Sequence, residues 1–354
     1  DFGNSGTTAR LMLGLFASLK GVQIEATGDA SLTIRPMKRV VEPLRKLGAD
    51  IEYLGQAGFL PIRIKGVELN SGNLAADKAS AQIKSALMLA AINIDGEVEI
   101  QLPAGGRDHT ERLLARLGAD IQVKQLPDHH ESIVIRGKFR PVCGDSIVPN
   151  DPSSAAFVFA LPLIHGAGEV CCRSMLLNAG RTHFLNVLAR MGADVSIENR
   201  RSIDPGGLSY MEEVGDVKVR SGKCLQGVKI GAEEVPMVVD EIPILSVVAA
   251  FADGPSSFLG LEELRVKESD RLAQTAELLR LSGADYSVSG DDLQIQGKMP
   301  APHRFEFNPK GDHRLAMAAA IMMTKSVSPG SVVIGGRCVD VSFPGFFDLI
   351  EAIQ

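Results

Sequence analysis

The sequence predicts a mixed α/β (α+β) fold built from a repeated strand–helix–strand–helix–strand–strand unit. Three observations predict it. First, the phrases "KLGAD", "RLGAD", "RMGAD" and "LSGAD" recur with their glycines at Gly48, Gly118, Gly192 and Gly283, spaced 70, 74 and 91 residues apart. That period is too long for a solenoid and suits a supersecondary unit used several times. Second, each copy reads as a helix that stops at the glycine, then an alternating strand, a polar turn and a second alternating strand. The alternation predicts antiparallel pairing with one wet face. Third, five small-residue stretches with polar starts lie at 4–19, 80–92, 151–164, 240–252 and 311–323. A helix that is apolar all round is a buried one, so these are expected to be central helices packed on every side.

Along the chain, residues 1–148 hold two stretches of the unit and 149–354 hold three. The first stretch is broken at its N-terminal edge and the last is short. "GDSIVPNDPSS" (144–154) gathers Gly, Pro, Asn and Asp and is the expected crossover between two domains. If the two halves are equal in design, a further unit of roughly 70 to 90 residues, by the repeat period, precedes Asp1.

Composition narrows the function classes. The 354 residues are 45% hydrophobic and 23% charged, an ordinary globular balance, with a net charge of −6. That charge argues against a non-specific nucleic-acid surface, so any bound anion must be met by local cations. The five cysteines, at 143, 171, 172, 224 and 338, fit no zinc spacing and read as buried free thiols. The longest apolar runs, such as "AAFVFALPLI" (155–164), are too short to span a bilayer.

The polar helix starts carry the chemistry. Unpaired N–H groups at a helix N-terminus attract anions. "NSGTTAR" offers Asn4, Ser5, Gly6, Thr7 and Arg10, "ASAQIK" offers Ser80, Gln82 and Lys84, and "GDHR" offers Asp312, His313 and Arg314. Any one of these is equally an ordinary N-cap. Three, each with a cation in its first turns, point to shared anion binding. "LTIRPMKRV" adds Arg35, Lys38 and Arg39, and "GGRDHTERLL" adds Arg107, Asp108, His109 and Glu111 at another helix start. "ELRVKESDRL" groups Arg265, Lys267, Glu268, Asp270 and Arg271, with 267 and 271 expected on one helix face. These charge runs also fit solvated surfaces. Acid–base work needs a carboxylate or imidazole in such company, which makes Glu268, Asp240 and His313 the candidates. No His/Cys/carboxylate run has metal-ligand spacing, and "DHH" (128–130) falls in a hairpin turn. No G-x-G-x-x-G follows a strand and no Walker-A loop is present, which speaks against a nucleotide cofactor.

Nine motifs then occur in order: "GNSGTTARL", "RPMKR", "ASAQIKSALMLA", "RDHTERLL", "DPSSAAF", "DEIPIL", "LEELRVKESDRL", "DHRLAMA" and "SFPGFF". Together they resemble the 5-enolpyruvylshikimate-3-phosphate (EPSP) synthase family, in its bacterial class II form, over residues 1 to about 347. The resemblance implies a two-domain inside-out barrel of βαβαββ units around buried parallel helices. It implies transfer of the enolpyruvyl group of phosphoenolpyruvate to the 5-hydroxyl of shikimate 3-phosphate, in the cytoplasm, as a monomer. No cofactor, metal, nucleic acid or membrane is implied. By motif match, Ser80, Ala81, Gln82 and Arg181 hold shikimate 3-phosphate. Asp240 accepts the 5-hydroxyl proton beside Lys267, and Glu268 shuttles protons at the phosphoenolpyruvate carbon. Asn4, Gly6, Arg35, Gln82, Arg271 and Arg314 bind phosphoenolpyruvate, with His313 beside its phosphate. The pocket is the one where the family's inhibitor glyphosate competes.

Some positions depart from the pattern. Gly106 stands where the family usually has Ser or Thr, Val341 stands where class I members carry Lys, and the family's Lys-Ser-x-x-x-Arg helix start has no counterpart after Asp1. The resemblance therefore implies an incomplete chain with little or no activity, against which a measured turnover near that of a homologue would tell. A UDP-N-acetylglucosamine enolpyruvyl transferase is the nearest alternative, but "TGDASLTIR" (27–35) lacks the Cys that enzyme carries there. An inactive binding fragment and an RNA 3′-phosphate cyclase are the others. Charge and the missing nucleotide loop disfavour the cyclase.

Overall fold

In the computed structural model, residues 1–354 are described except 77–79, 143–146, 204–211, 223, 299–303, 327–329 and 354. The repeat is visible as geometry. Its first stretch runs α1 (Gly6–Ala17), β1 (Gln23–Ala26), α2 (Ala30–Thr33), α3 (Lys38–Lys46), β2 (Asp50–Tyr53) and β3 (Ile62–Lys65). The second is complete: β4 (Gly72–Ala75), α4 (Ala81–Ala91), β5 (Glu97–Pro103), α5 (His109–Arg116), β6 (Asp120–Leu126) and β7 (His130–Arg136). The third comprises α6 (Pro152–His165), β8 (Glu169–Leu176), α7 (Ala179–Arg190), β9 (Asp194–Ser202) and β10 (Glu213–Arg220).

The fourth stretch adds β11 (Lys229–Ile230), α8 (Val235–Val238), α9 (Ile242–Ala250), β12 (Ser256–Phe258), α10 (Arg271–Leu281), β13 (Tyr286–Ser289) and β14 (Asp292–Ile295). The fifth is short: β15 (Glu306–Phe307), α11 (His313–Ser326), β16 (Val332–Val333) and α12 (Phe346–Ile353). The second and fourth sheets have the same order, β4-β5-β7-β6 and β11-β12-β14-β13. In each the first pair is parallel and the other two are antiparallel. The first and third sheets, β1-β3-β2 and β8-β10-β9, repeat the last three positions of that order.

The four glycines end their helices as expected. Gly48, Gly118, Gly192 and Gly283 have φ of +95°, +97°, +96° and +76°. In each case the glycine N–H returns to the carbonyl three residues back and the next N–H to the one five back, as for Gly48→Arg45 and Ala49→Leu44. That paired closure satisfies the last helical carbonyls. The "DHH" turn joins β6 to β7 with Asp128 and His129 exposed.

Packing divides the chain into two compact units, Asp1–Ser146 with Asp204–Glu212, and Ile147–Ile203 with Glu213–Gln354. Each has its own apolar core. In the second unit every residue of α9 is buried, as are twelve of the fourteen in α6. In the first, α4 is buried at eight of eleven positions. The expectation of burial on every side fails for α1, where only five of twelve residues are buried and Leu11, Met12, Leu15 and Phe16 are half-buried. The cysteine expectation also needs correction: Cys171 and Cys224 are exposed and Cys172 and Cys338 half-buried, all as free thiols. Cys171 and Cys172 fall on opposite faces of β8, so only one can turn inward. Burial pushes the Cys172 thiol up to about 11. Cys143 lies outside the described residues. No helix among the described residues is long and apolar enough to cross a membrane.

Candidate active site

Two groups of polar side chains gather at helix starts, one in each unit. In the first unit α1 and α4 are neighbours, and their starts are stitched together. Arg10 Nη1 donates to Gln82 Oε1 at 2.9 Å, and Gln82 Nε2 donates to Thr7 Oγ1 at 2.9 Å. Arg10 Nη2 reaches Pro36 O at 3.0 Å, which ties in the segment carrying Arg35. Arg35 is buried and donates to Ser31 Oγ at 3.0 Å and Asn4 Oδ1 at 3.4 Å. Lys38 and Arg39, grouped with Arg35 by sequence, are instead exposed. A Cβ on Gly6 would lie 2.8 Å from Arg10 Nη1 and 3.3 Å from Arg35 Nη1. Glycine is therefore the residue that lets both guanidiniums approach the start of α1. Ser5 and Ser80 cap α1 and α4, accepting from Thr8 N and Ile83 N.

Lys84 corrects the sequence reading. Expected to face an anion, it is 1% exposed, with its Nζ 2.5 Å from Glu111 Oε1 and 3.0 Å from Glu131 Oε1. Its partners are 27 and 47 residues away, beyond any local pattern. Distance in sequence also hid Glu212, which with Asp108 and His109 forms a group within metal-ligand reach. Arg112 Nε donates to Asp108 Oδ2 at 2.8 Å and lies 3.9 Å from Glu212 Oε2, so this group is already countered by a cation.

The second unit centres on Arg271, whose side chain is 1% exposed. Its Nε donates to Asp312 Oδ2 at 2.8 Å, its Nη2 to Glu268 Oε2 at 2.6 Å, and its Nη1 to Asp240 Oδ1 at 3.3 Å. Lys267 Nζ is 3.7 Å from the same Asp240 oxygen. Lys267 and Arg271 do not share a helix: Lys267 closes a 3-10 turn (Glu262–Val266), and Asp270 caps α10, which starts at Arg271. The break aims both cations at Asp240 across the chain. Burial would lower the Arg271 guanidinium, but Asp312, Glu268 and Asp240 raise it. Burial would raise the Asp312 carboxyl, and the Arg271 charge and hydrogen bond hold it below its usual value. Asp312 also accepts Arg314 N at 3.0 Å, so it caps α11 as well.

Around this centre runs a second chain of contacts that the sequence reading missed. Arg314 Nη1 donates to Asp240 O at 3.1 Å and lies 3.6 Å from Glu241 Oε1. Glu241, 1% exposed, accepts Ser153 Oγ–H at 2.5 Å. Ser153 Oγ accepts from Arg181 Nη2 at 2.9 Å, and Arg181 pairs with Asp151 at 2.5 Å. The available signal was an acidic residue directly before α9, which is apolar but for Ser246. Burial, Arg314 and Arg271 push the His313 imidazole below 6.5, against the pull of Asp312 and Glu268.

Of the residues expected to act, Asn4, Gly6, Arg35, Ser80, Ala81 and Gln82 lie in the first unit. Arg181, Asp240, Lys267, Glu268, Arg271, His313 and Arg314 lie in the second. Fold and side chains together define a repeated α/β protein with cations and carboxylates at buried helix starts, the equipment of an enzyme for small polyanions.

Comparison with known proteins makes that class specific. The enolpyruvyl transferase NikO from Streptomyces tendae shares the fold, with a TM-score of 0.63 at 16% identity over 94% of this chain and 72% of its own. A solved structure of EPSP synthase from Acinetobacter baumannii matches with a TM-score of 0.82 at 34% identity, covering 99% of this chain and 77% of that one. The 3-phosphoshikimate 1-carboxyvinyltransferases of Gluconobacter oxydans (strain 621H) and Synechococcus sp. (strain WH7803) are 41% and 42% identical across the whole chain, which spans 78% of each. The EPSP synthase (3-phosphoshikimate 1-carboxyvinyltransferase) family profile matches residues 1–350. The chain belongs to the EPSP synthase family.

Proposed function

We propose that the Arg271-centred cluster carries out the family's reaction, transfer of the enolpyruvyl group from phosphoenolpyruvate to the 5-hydroxyl of shikimate 3-phosphate with release of phosphate. One observation supports this above the others: the carboxylates of Asp240 and Glu268 are held on one buried guanidinium, with Lys267 beside Asp240. The reaction needs a base at the hydroxyl and an acid at the methylene carbon. Asp240 takes the 5-hydroxyl proton while the oxygen attacks C2 of phosphoenolpyruvate. Glu268, entering this step as the carboxylic acid, gives its proton to C3, which yields a tetrahedral intermediate. Glu268 then takes a proton back from C3 as the C2–O bond to phosphate breaks, and the proton held by Asp240 leaves with the phosphate. Lys267 stabilises charge at the attacking oxygen.

Binding falls to the guanidiniums and helix starts. Arg271, Arg314 and Arg35 hold phosphoenolpyruvate, with Asn4, Gly6 and Gln82 in support and His313 at its phosphate. Ser80, Ala81, Gln82 and Arg181 hold shikimate 3-phosphate. The test is phosphate release from phosphoenolpyruvate with and without shikimate 3-phosphate. Release only when both are present is expected. Release that ignores the second substrate overturns the reading. The proposal also takes residues 1–148 and 149–354 as two lobes of an inside-out barrel acting as a cytoplasmic monomer, which sedimentation of the purified protein checks for oligomeric state.

A further inference from the structure

Lys84 is a lysine for which the proposed chemistry has no use. Its ammonium joins α4 to α5 through Glu111 and to β7 through Glu131. All three side chains are below 10% exposed. Two carboxylates face one ammonium, and Glu111 Oε2 is buried with no hydrogen-bond partner among the described residues. Buried ion groups are weak contributors to stability, because desolvation offsets their attraction and apolar replacements are often neutral. Holding the fold together is thus a poor account of this triad.

Its location suggests another. Lys84 stands in the first turn of α4, two residues after Gln82, in the helix start that holds Ser80, Ala81 and Gln82. Glu111 stands in the first turn of α5, just after the loop that carries Gly105 and Gly106. A Cβ on Gly106 would lie 3.7 Å from Lys84 Nζ and 3.8 Å from Ala81 N, so the loop backbone lies against the start of α4. Ser85 Oγ and Thr110 Oγ1, 2.6 Å apart, tie the same two helix starts a second time.

We propose that Lys84 is a positioning residue: through Glu111 and Glu131 it locks the first turn of α4 and the 104–108 loop into one surface for the phosphate of shikimate 3-phosphate. This rests on the function proposed above. It sets affinity for that substrate more than for phosphoenolpyruvate. The test is equilibrium binding of each substrate to the protein and to two variants. Glu111→Gln leaves Lys84 paired with Glu131, and Lys84→Met/Glu111→Gln/Glu131→Gln removes every charge.

Both variants are expected to fold, to weaken shikimate 3-phosphate about tenfold, the loss of one charge-assisted bond, and to hold phosphoenolpyruvate within about threefold. Unchanged shikimate 3-phosphate binding in a folded variant overturns the proposal. So does equal weakening of both substrates, or failure of both variants to fold, since either marks a merely structural triad. If the unaltered protein binds no shikimate 3-phosphate, the proposed function fails first, a result distinct from any produced by the variants alone.

Discussion

Arg271 Nε donates to Asp312 Oδ2 at 2.8 Å, and the two side chains are 1% and 0% exposed. The guanidinium serves three carboxylates at once, which a lysine ammonium cannot reproduce in the same planar geometry. Arg271→Lys keeps the charge but leaves buried carboxylate oxygens without a donor, and is expected to lower unfolding free energy by about 1–3 kcal/mol. Arg265→Lys, at a pair more than a third exposed, is expected to cost less than about 1 kcal/mol. Urea unfolding of the two variants checks the contrast, and similar losses would contradict it.

Gly6 is the point where substitution acts on two arginines together. A methyl group there meets Arg10 Nη1 at 2.8 Å and Arg35 Nη1 at 3.3 Å. Both are ends of flexible side chains, so the fold is expected to survive Gly6→Ala while the guanidiniums shift. KM for phosphoenolpyruvate is expected to rise about 10- to 100-fold, as for misplacements of an ångström or so, with the thermal midpoint little changed. A normal KM would remove Gly6 and Arg35 from the binding surface.

The histidine and the aspartate beside Arg271 give stability a pH dependence of fixed sign. His313 titrates below 6.5 in the folded protein, mainly through burial and the Arg314 charge. The unfolded chain therefore takes up that proton first, and stability falls as pH drops below 6.5 through the folded value. Asp312, held below 3.8 because Arg271 outweighs its burial, adds stability above 3.8 that is lost as pH falls through its own folded value. Thermal midpoints are expected to be level above pH 6.5 and to decline on the acid side. A His313 imidazole found by NMR to titrate above 6.5 would reverse the sign.

The repeat glycines separate strain from crowding. Gly118 and Gly192 have the same left-handed φ, +97° and +96°. A Cβ on Gly118 meets nothing closer than 3.9 Å, whereas one on Gly192 meets Cys224 O at 2.6 Å. Gly118→Ala is expected to cost about 1–2 kcal/mol, the left-handed penalty alone, and Gly192→Ala distinctly more. Equal losses in chemical denaturation would refute the distinction.

What could be read in advance was what is local. The helix-ending glycines and the capped starts of α1, α4 and α6 depend on neighbours within five residues, and the hairpins after the glycines follow from the alternation within their own strands; they appear where the pattern puts them. What could not be read was pairing across the chain. Lys84 looks like an anion-binding cation until Glu111 and Glu131 close on it. Lys267 and Arg271 look like one helix face until Asp270 is seen to cap a new helix. Glu241 looks like part of an ordinary helix start until Ser153, 88 residues earlier, donates to it.

The central claim is that Glu268, held on Arg271, moves the proton at the methylene carbon. Steady-state phosphate release by Glu268→Gln, with both substrates varied, tests it most directly. The glutamine keeps the shape and loses the proton, so kcat is expected to fall about 10²- to 10⁴-fold with both KM values within a few-fold. Turnover equal to that of the unaltered protein would contradict the account.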